Sequence, residues 1–382
     1  MVGLAPTRSD RAARLAASPL RHLDPLLLGS VLAINVLGLL MVYSATRNGL
    51  IGGITDPLFY VKRQAVFVVI GLGVMAAAIL IDYRRMREWA PAIYGLTLLM
   101  LMAVLTPLGA STNGSQARFS LGPFALQPSE FAKFSVTLMV AAYCAQHRGD
   151  LDVRRLLVVL AIAAPPLGLV MLQPDLGTAL VIGAIILAVL AVAGVRARHL
   201  AVLALLGVTG AVVAVNVGVL KPYQVDRLTA FLNQNGDTRR TTYNLEQSKT
   251  AIGNGGLRGQ GLFHGSQTSL GHVPEQHTDF IFTAVGEELG FVGAGLLLAL
   301  FGIVVWRTWR TAAVSNDLFG TLLCVGVVAM LAFQIFENIG MTMGIMPITG
   351  IPLPFMSYGG SSAIVSFACI GLVANVSMRR FS

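Results

Sequence analysis

The chain has 382 residues, 55% of them hydrophobic and 12% charged, with a formal net charge of +9. Soluble domains carry about 25% charged residues, so this composition excludes a chain surrounded by water and is better counted in membrane spans. The three cysteines, Cys144, Cys324 and Cys369, all fall within apolar runs. Their number and placement speak for core packing and against a disulfide framework or a metal site.

The first 24 residues form a basic arm carrying Arg8, Arg11, Arg14 and Arg21. Pro25 to Thr46 then runs without a charge. That is longer than the apolar region of a secretory signal, about 7–15 residues, and matches the roughly 20 that a bilayer requires. It predicts an uncleaved first helix. Nine further apolar segments follow at 62–81, 90–108, 128–146, 153–172, 175–194, 198–219, 280–305, 318–340 and 357–378. Backbone groups in lipid must be satisfied internally, so segments of this length predict helices and not barrel strands. The expected fold is an all-α polytopic membrane protein of about ten transmembrane helices. Residues 25–378 form a single transmembrane domain, and 379–382 a short cytoplasmic tail.

Orientation follows from the basic residues. The arm and every second connection hold 16 of the 27 Lys and Arg, among them Arg84, Arg148, Arg196, Arg307 and Arg379. The alternate short connections hold only Arg47, Lys62, Arg63 and Arg118. The positive-inside rule puts both termini in the cytoplasm. The +9 is thereby a topology signal, and it does not point to nucleic acid.

One connection is long. Residues 220–279 are expected to form an extracytoplasmic loop between the seventh and eighth helices, and unstructured loops of that length are uncommon without a function. The loop holds a helix-like stretch, "TTYNLEQSKTAI", and a glycine-rich run, "GNGGLRGQGLFHGSQTSLG". The glycines suit either a hinge or close backbone approach to an anionic group. No Walker lysine pattern accompanies them.

The topology gives each charged residue within a span a depth. Glu130 and Lys133 lie in the first turns of the fourth segment, three apart and able to pair. Asp175 joins the fifth and sixth segments, Asp279 stands at the mouth of the eighth, and Glu287 and Glu288 lie about two turns deeper. Glu337 and Asn338 come near the outer end of the ninth. All cluster toward the outer face. An ionisable residue in a span costs roughly 2.5–3.5 kcal/mol on insertion scales and marks a candidate site. Structural readings remain open beside it: an ion pair for Glu130 and Lys133, and a helix cap for Asp279. His277, two residues before Asp279, suits a loop hydrogen bond better than a zinc site. Two classes fit an outward polar cavity: a transporter of a polar solute, and an enzyme acting on a lipid-linked substrate. Transporter sites favour the midplane, so the one-sided charges tip the balance toward an enzyme.

The run "NIGMTMGIMPITGIPLPFMSYGGSS", Asn338 to Ser362, strongly resembles the signature of the SEDS family (shape, elongation, division and sporulation proteins). "QPSEFAK", "QPDLGTA", "GNGGLRGQG" and "PEQHTDFIFTAVGEELGF" are similar to its other motifs, in the family's order. Within the family, "GIPLPFMSYGG" is more similar to the rod-shape branch than to the division branch.

The resemblance implies a peptidoglycan glycosyltransferase that polymerises lipid II at the outer face of the bacterial cytoplasmic membrane. It implies as partners a class B penicillin-binding protein and other membrane proteins of the elongation complex. It marks Asp279 as the family's essential loop aspartate, and Glu130, Lys133 and Asp175 as further family positions. Asp279 is the expected general base. Lys133, Arg63 and Arg118 are expected to neutralise the pyrophosphate, a task also open to a divalent cation; no other cofactor is implied. Glu275 and His277 are expected to shape the loop around Asp279, and Ser361 of the signature counts among the supporting residues. The competing readings are a lipid II flippase and a non-catalytic scaffold.

Overall fold

A computed structural model describes residues 23–48, 56–112, 115–121, 124–149, 152–216, 224–225, 227, 231 and 239–380. The basic arm through residue 22, much of 217–238 in the long loop and residues 381–382 of the tail lie outside the described residues.

Each of the ten apolar segments corresponds to a helix. They are α1 (Pro25–Thr46), α2 (Phe59–Leu80), α3 (Tyr83–Val104), α4 (Pro128–Gln146), α5 (Val153–Leu172), α6 (Leu176–Val192) and α7 (Ala197–Asn216). The long loop adds α8 (Arg239–Gly255) and α9 (Ser266–Leu270), before α10 (Ile281–Ala313), α11 (Leu318–Met343) and α12 (Gly360–Met378). Six of these, α1, α2, α5, α10, α11 and α12, are long and apolar enough to cross a membrane. Among the others, α3, α4 and α6 fall short for local reasons. The start of α3, "YRRMREW", is charged, α4 opens on Glu130 and Lys133, and α6 has 17 residues.

The starts obey capping chemistry. Asp24, Asp82, Asp152, Asp175 and Asp317 each precede a helix and accept hydrogen bonds from its first N–H groups. Proline follows the cap of α1 and of α4, where its missing N–H costs nothing.

The all-α expectation is incomplete. Between α3 and α4 the chain folds into an antiparallel sheet of β1 (Ala110–Thr112), β2 (Ser115–Leu121) and β3 (Phe124–Leu126), with β2 in the middle. In "SQARFSL" Ala117, Phe119 and Leu121 alternate with polar residues, the period of a half-buried strand. Such short strands leave little trace beside long apolar runs.

Helix α12 forms the centre of the bundle, packed along α2 and touching α4 and α11. The shared core joins Leu27, Leu138, Phe282, Phe319 and Leu372, and the three cysteines are buried and unbonded, as the sequence predicts. Val69, Leu205, Phe291 and Leu296 point outward instead. Their exposure suits lipid, which satisfies apolar side chains as well as a core does.

Helix α10 is broken at Gly290 (φ 66°, ψ −163°). The glycine-rich run fills the break. Gln260 and Gly261 donate their N–H groups to the carbonyls of Glu287 and Glu288, at 2.9 and 3.0 Å. Phe291 and Val292 donate to Gly256 and Leu257, at 2.9 and 3.1 Å. A Cβ on Gly255 would sit 1.9 Å from the Gly286 carbonyl, and one on Gly259 2.1 Å from that of Glu288. These glycines therefore serve neither as a hinge nor as an anion cradle; they let a loop replace the hydrogen bonds of an interrupted helix. Glu287 and Glu288 belong to the same joint. Glu287 accepts from the N–H of Gln267 and of Thr268, and Glu288 from Ser44 Oγ and the N–H of Phe263.

Candidate active site

The N-termini of α4, α6 and α12, the sheet, and the loops before α10 and α12 converge on one cavity of about 140 Å3. Its wall includes Asp279, Glu130, Asp175, Arg63, Arg118 and Ser361, six of the nine residues that the sequence nominates. The volume lies below the roughly 300–1,000 Å3 of sites that enclose a whole small molecule. A large substrate would enter it with its reacting end alone.

Asp279 is half-buried at the end of a tight turn. Glu275 opens that turn in the left-handed region (φ 52°), and its carbonyl accepts the N–H of Thr278 at 3.2 Å and of Asp279 at 3.1 Å. From below, Asn338 on α11 donates Nδ2 to the Asp279 carbonyl at 2.8 Å and to the Ile351 carbonyl at 2.7 Å. Gly350 (φ 76°) leaves room for the carboxylate: a Cβ there would lie 3.1 Å from Asp279 Oδ2 and 3.7 Å from an Arg227 nitrogen. Burial pushes the Asp279 carboxyl up to about 6, with Glu275 and Asp175 adding to the rise and Arg227 and Arg118 opposing it.

Asp175 is more tightly held. It caps α6 by accepting the Thr178 N–H at 2.9 Å, and it also accepts Thr178 Oγ1 at 2.9 Å and Ser129 Oγ at 2.8 Å. Gln127 links this cluster to α12, donating its N–H to Ser361 Oγ at 2.9 Å. Arg63 stacks over Phe59 with its carbon 5.1 Å from the ring centroid, and Arg118 projects from β2 into solvent. Both cations line the cavity wall.

Three nominated residues are elsewhere. Lys133 is 1% exposed and lies behind the wall, its Nζ 2.8 and 2.7 Å from the two oxygens of Glu130. The structure thus gives it an ion pair and no place on the cavity, in contrast to the direct phosphate contact expected of it. His277 is buried between Tyr60 and Tyr358, with ring centroids 4.8 and 5.5 Å away. Glu275 is exposed on the far side of the turn. Burial holds the His277 imidazole below its ordinary pKa, against the pull of Glu275. Among the described residues, no group of three His, Cys, Asp or Glu is close enough to hold a metal ion, so those side chains do not by themselves form a cation cage.

Arg227 and Gly350 complete the surroundings of Asp279 without being marked by the sequence, and Asn338, which the sequence places near the outer end of its helix, joins them. Gly350 carries no signal, because its role depends on what folds against it.

An apolar helical bundle with acids and arginines gathered in one end pocket defines a polytopic membrane protein with a polar site at one face. The FtsW/RodA/SpoVE family model, described as a cell cycle protein, matches residues 25–381. The chain belongs to that family, the SEDS proteins. It is 37% identical to stage V sporulation protein E of Bacillus subtilis over 93% of this chain and 96% of that one. It is 36% identical to the peptidoglycan glycosyltransferase MrdB of Escherichia coli K12, over 94% of each. Among solved structures, it resembles a chain of a peptidoglycan synthase complex described as coordinating polymerization and crosslinking. The TM-score is 0.79 at 33% identity, covering 94% of this chain and 99% of that one.

Proposed function

We propose that the protein is a peptidoglycan glycosyltransferase that joins lipid II units into glycan strands at the outer face of the bacterial cytoplasmic membrane, during elongation. Ten helices cross the membrane, α1 to α7 and α10 to α12, with both termini cytoplasmic and the pocket outward. Residues 25–378 form one domain. The arginine bias of alternate connections supports this orientation, as does the gathering of acids at one end of the bundle.

The observation that carries the reading is the half-buried carboxyl of Asp279 on the cavity wall with Arg63 and Arg118, pushed up to about 6 by its surroundings. A base poised near the working pH is what proton abstraction asks for. Asp279 takes the proton of the acceptor sugar hydroxyl as its oxygen bonds to the anomeric carbon of the donor. The bond from that carbon to the diphosphate breaks, and its electron pair leaves on the phosphate oxygen. Arg63 and Arg118 stand where the departing charge needs partners. Energy comes from the diphosphate ester, so no nucleotide enters. Glu130 and Asp175 shape the acidic side of the pocket, next to the sugar on which positive charge develops. Lys133 supports the site through Glu130, while Glu275, His277 and Ser361 fix the walls. The identity of the complex-derived structural relative supports a class B penicillin-binding protein as the partner.

The test is purified protein with its transpeptidase partner, given lipid II in detergent and assayed for glycan chains. Wild type makes polymer and folded Asp279→Ala does not. Polymer from Asp279→Ala at the wild-type rate sinks the assignment. Lipid II movement without polymer would favour a flippase.

A further inference from the structure

A second cavity of about 220 Å3 lies between the C-terminal end of α1 and the loop that leads into Asp279. Thr46, Asn48, Thr268, Glu275, Gln276 and His277 form much of its wall, and no Lys or Arg is among its described lining residues. Thr46, Thr268, Gln276 and His277 are each no more than 5% exposed.

Most of the free polar capacity of this wall is accepting, beside one N–H of Asn48 and the imidazole of His277, whose Nδ1 is buried without a hydrogen-bond partner. Thr268 and Gln276 are engaged with each other and with Glu287 and Thr283. Thr46 spends its proton on the Val42 carbonyl, which leaves its lone pairs, and Asn48 gives one Nδ2 hydrogen to the Ser269 carbonyl, which leaves its amide oxygen and one N–H. Glu275 receives one long contact, from Thr278 Oγ1 at 3.4 Å. Acceptors without a cation repel phosphate and carboxylate and suit a neutral molecule rich in O–H and N–H donors.

The cavity also shares structure with the reaction pocket. His277 lines the second cavity and packs on Tyr358, which lines the first, and the Tyr358 N–H donates to the His277 carbonyl at 2.9 Å. Glu275 sits left-handed at the head of the turn whose second bond holds Asp279, and strain of this kind gathers at working sites. A molecule gripping Glu275 therefore grips the turn that aims the base.

The geometry points to this cavity as a second subsite, which holds an uncharged saccharide unit of the strand while its activated end reacts beside Asp279. The inference rests on the glycan-polymerising reading above. A strand held there stays bound between transfers, so occupancy sets product length.

Two measurements on the full chain with its partner test this. Thr46→Val and Asn48→Ala shorten the glycan made from lipid II, with mean length falling about fivefold, the effect of one lost hydrogen bond. Saturation-transfer NMR on the full chain in detergent shows neutral chitotetraose bound to wild type and less to Asn48→Ala. Unchanged lengths in both variants together with no chitotetraose signal overturn the subsite. A signal from free stem peptide alone also overturns it. If wild type makes no polymer at all, the failure lies with the glycosyltransferase reading itself.

Discussion

Asn338 and Asp279 are joined side chain to backbone: the buried amide of one holds the carbonyl of the other at 2.8 Å. The same nitrogen holds Ile351, next to the glycine that makes room for the Asp279 carboxylate. One residue on a rigid helix thus sets both the base and its enclosure. Asn338→Asp keeps the shape and removes the donor. It should cost about 1–3 kcal/mol of stability through two unsatisfied carbonyls. The kcat for polymerisation should fall by about 100-fold, the usual penalty for a 1 Å misplacement, with KM changing little. A folded Asn338→Asp enzyme with wild-type kcat would show that the contact positions nothing.

The raised carboxyl of Asp279 predicts two pH effects of opposite sign. As a base it must be ionised, so the rate should drop as pH falls through about 6. For stability, a carboxyl raised above its ordinary 3.8 favours the folded state while protonated. That contribution is full below about pH 3.8 and lost as pH rises through about 6. Asp279→Asn should therefore be more stable than wild type at neutral pH, by up to about 3 kcal/mol, and should lose the advantage near about pH 4. Melting curves at both pH values check this, and equal midpoints throughout would argue against a raised carboxyl.

Arg227 and Glu275 pull the same carboxyl in opposite directions. Arg227→Gln should move the acid limb of the rate profile to higher pH, and Glu275→Gln to lower pH. Rate profiles of the two variants against wild type decide it. A limb that stays fixed in both would mean that solvent, and not these side chains, sets the ionisation of Asp279.

The sequence revealed the bundle and half the site for the same reason: water-to-lipid transfer penalises misplaced residues one at a time. Apolar runs had to be helices, and Glu130, Asp175 and Asp279 stood out because charge at a span is costly. Features that depend on two distant segments meeting were not legible. Gly350 matters only because Asp279 folds onto it, and Gly259 only because α10 breaks opposite it at Gly290. For Lys133 the sequence left an ion pair and a phosphate contact both open, and its side chain pairs with Glu130. The small sheet bearing Arg118 escaped because strands of three to seven residues carry too few alternations to compete with neighbouring helices.

The Glu130–Lys133 pair gives a stability test that separates pairing from either charge alone. Both side chains are buried and are three residues apart on α4. Glu130→Gln or Lys133→Met alone strands a charge without its partner, at a cost of about 3–5 kcal/mol. Replacing both, as in Glu130→Gln with Lys133→Met, removes the charges together and fills similar volume. The double variant should melt above either single variant, with a coupling energy of several kcal/mol in the double-mutant cycle. Additive losses in that cycle would mean that the two side chains are stabilised separately, and that the short contact between them contributes little to the fold of the pocket.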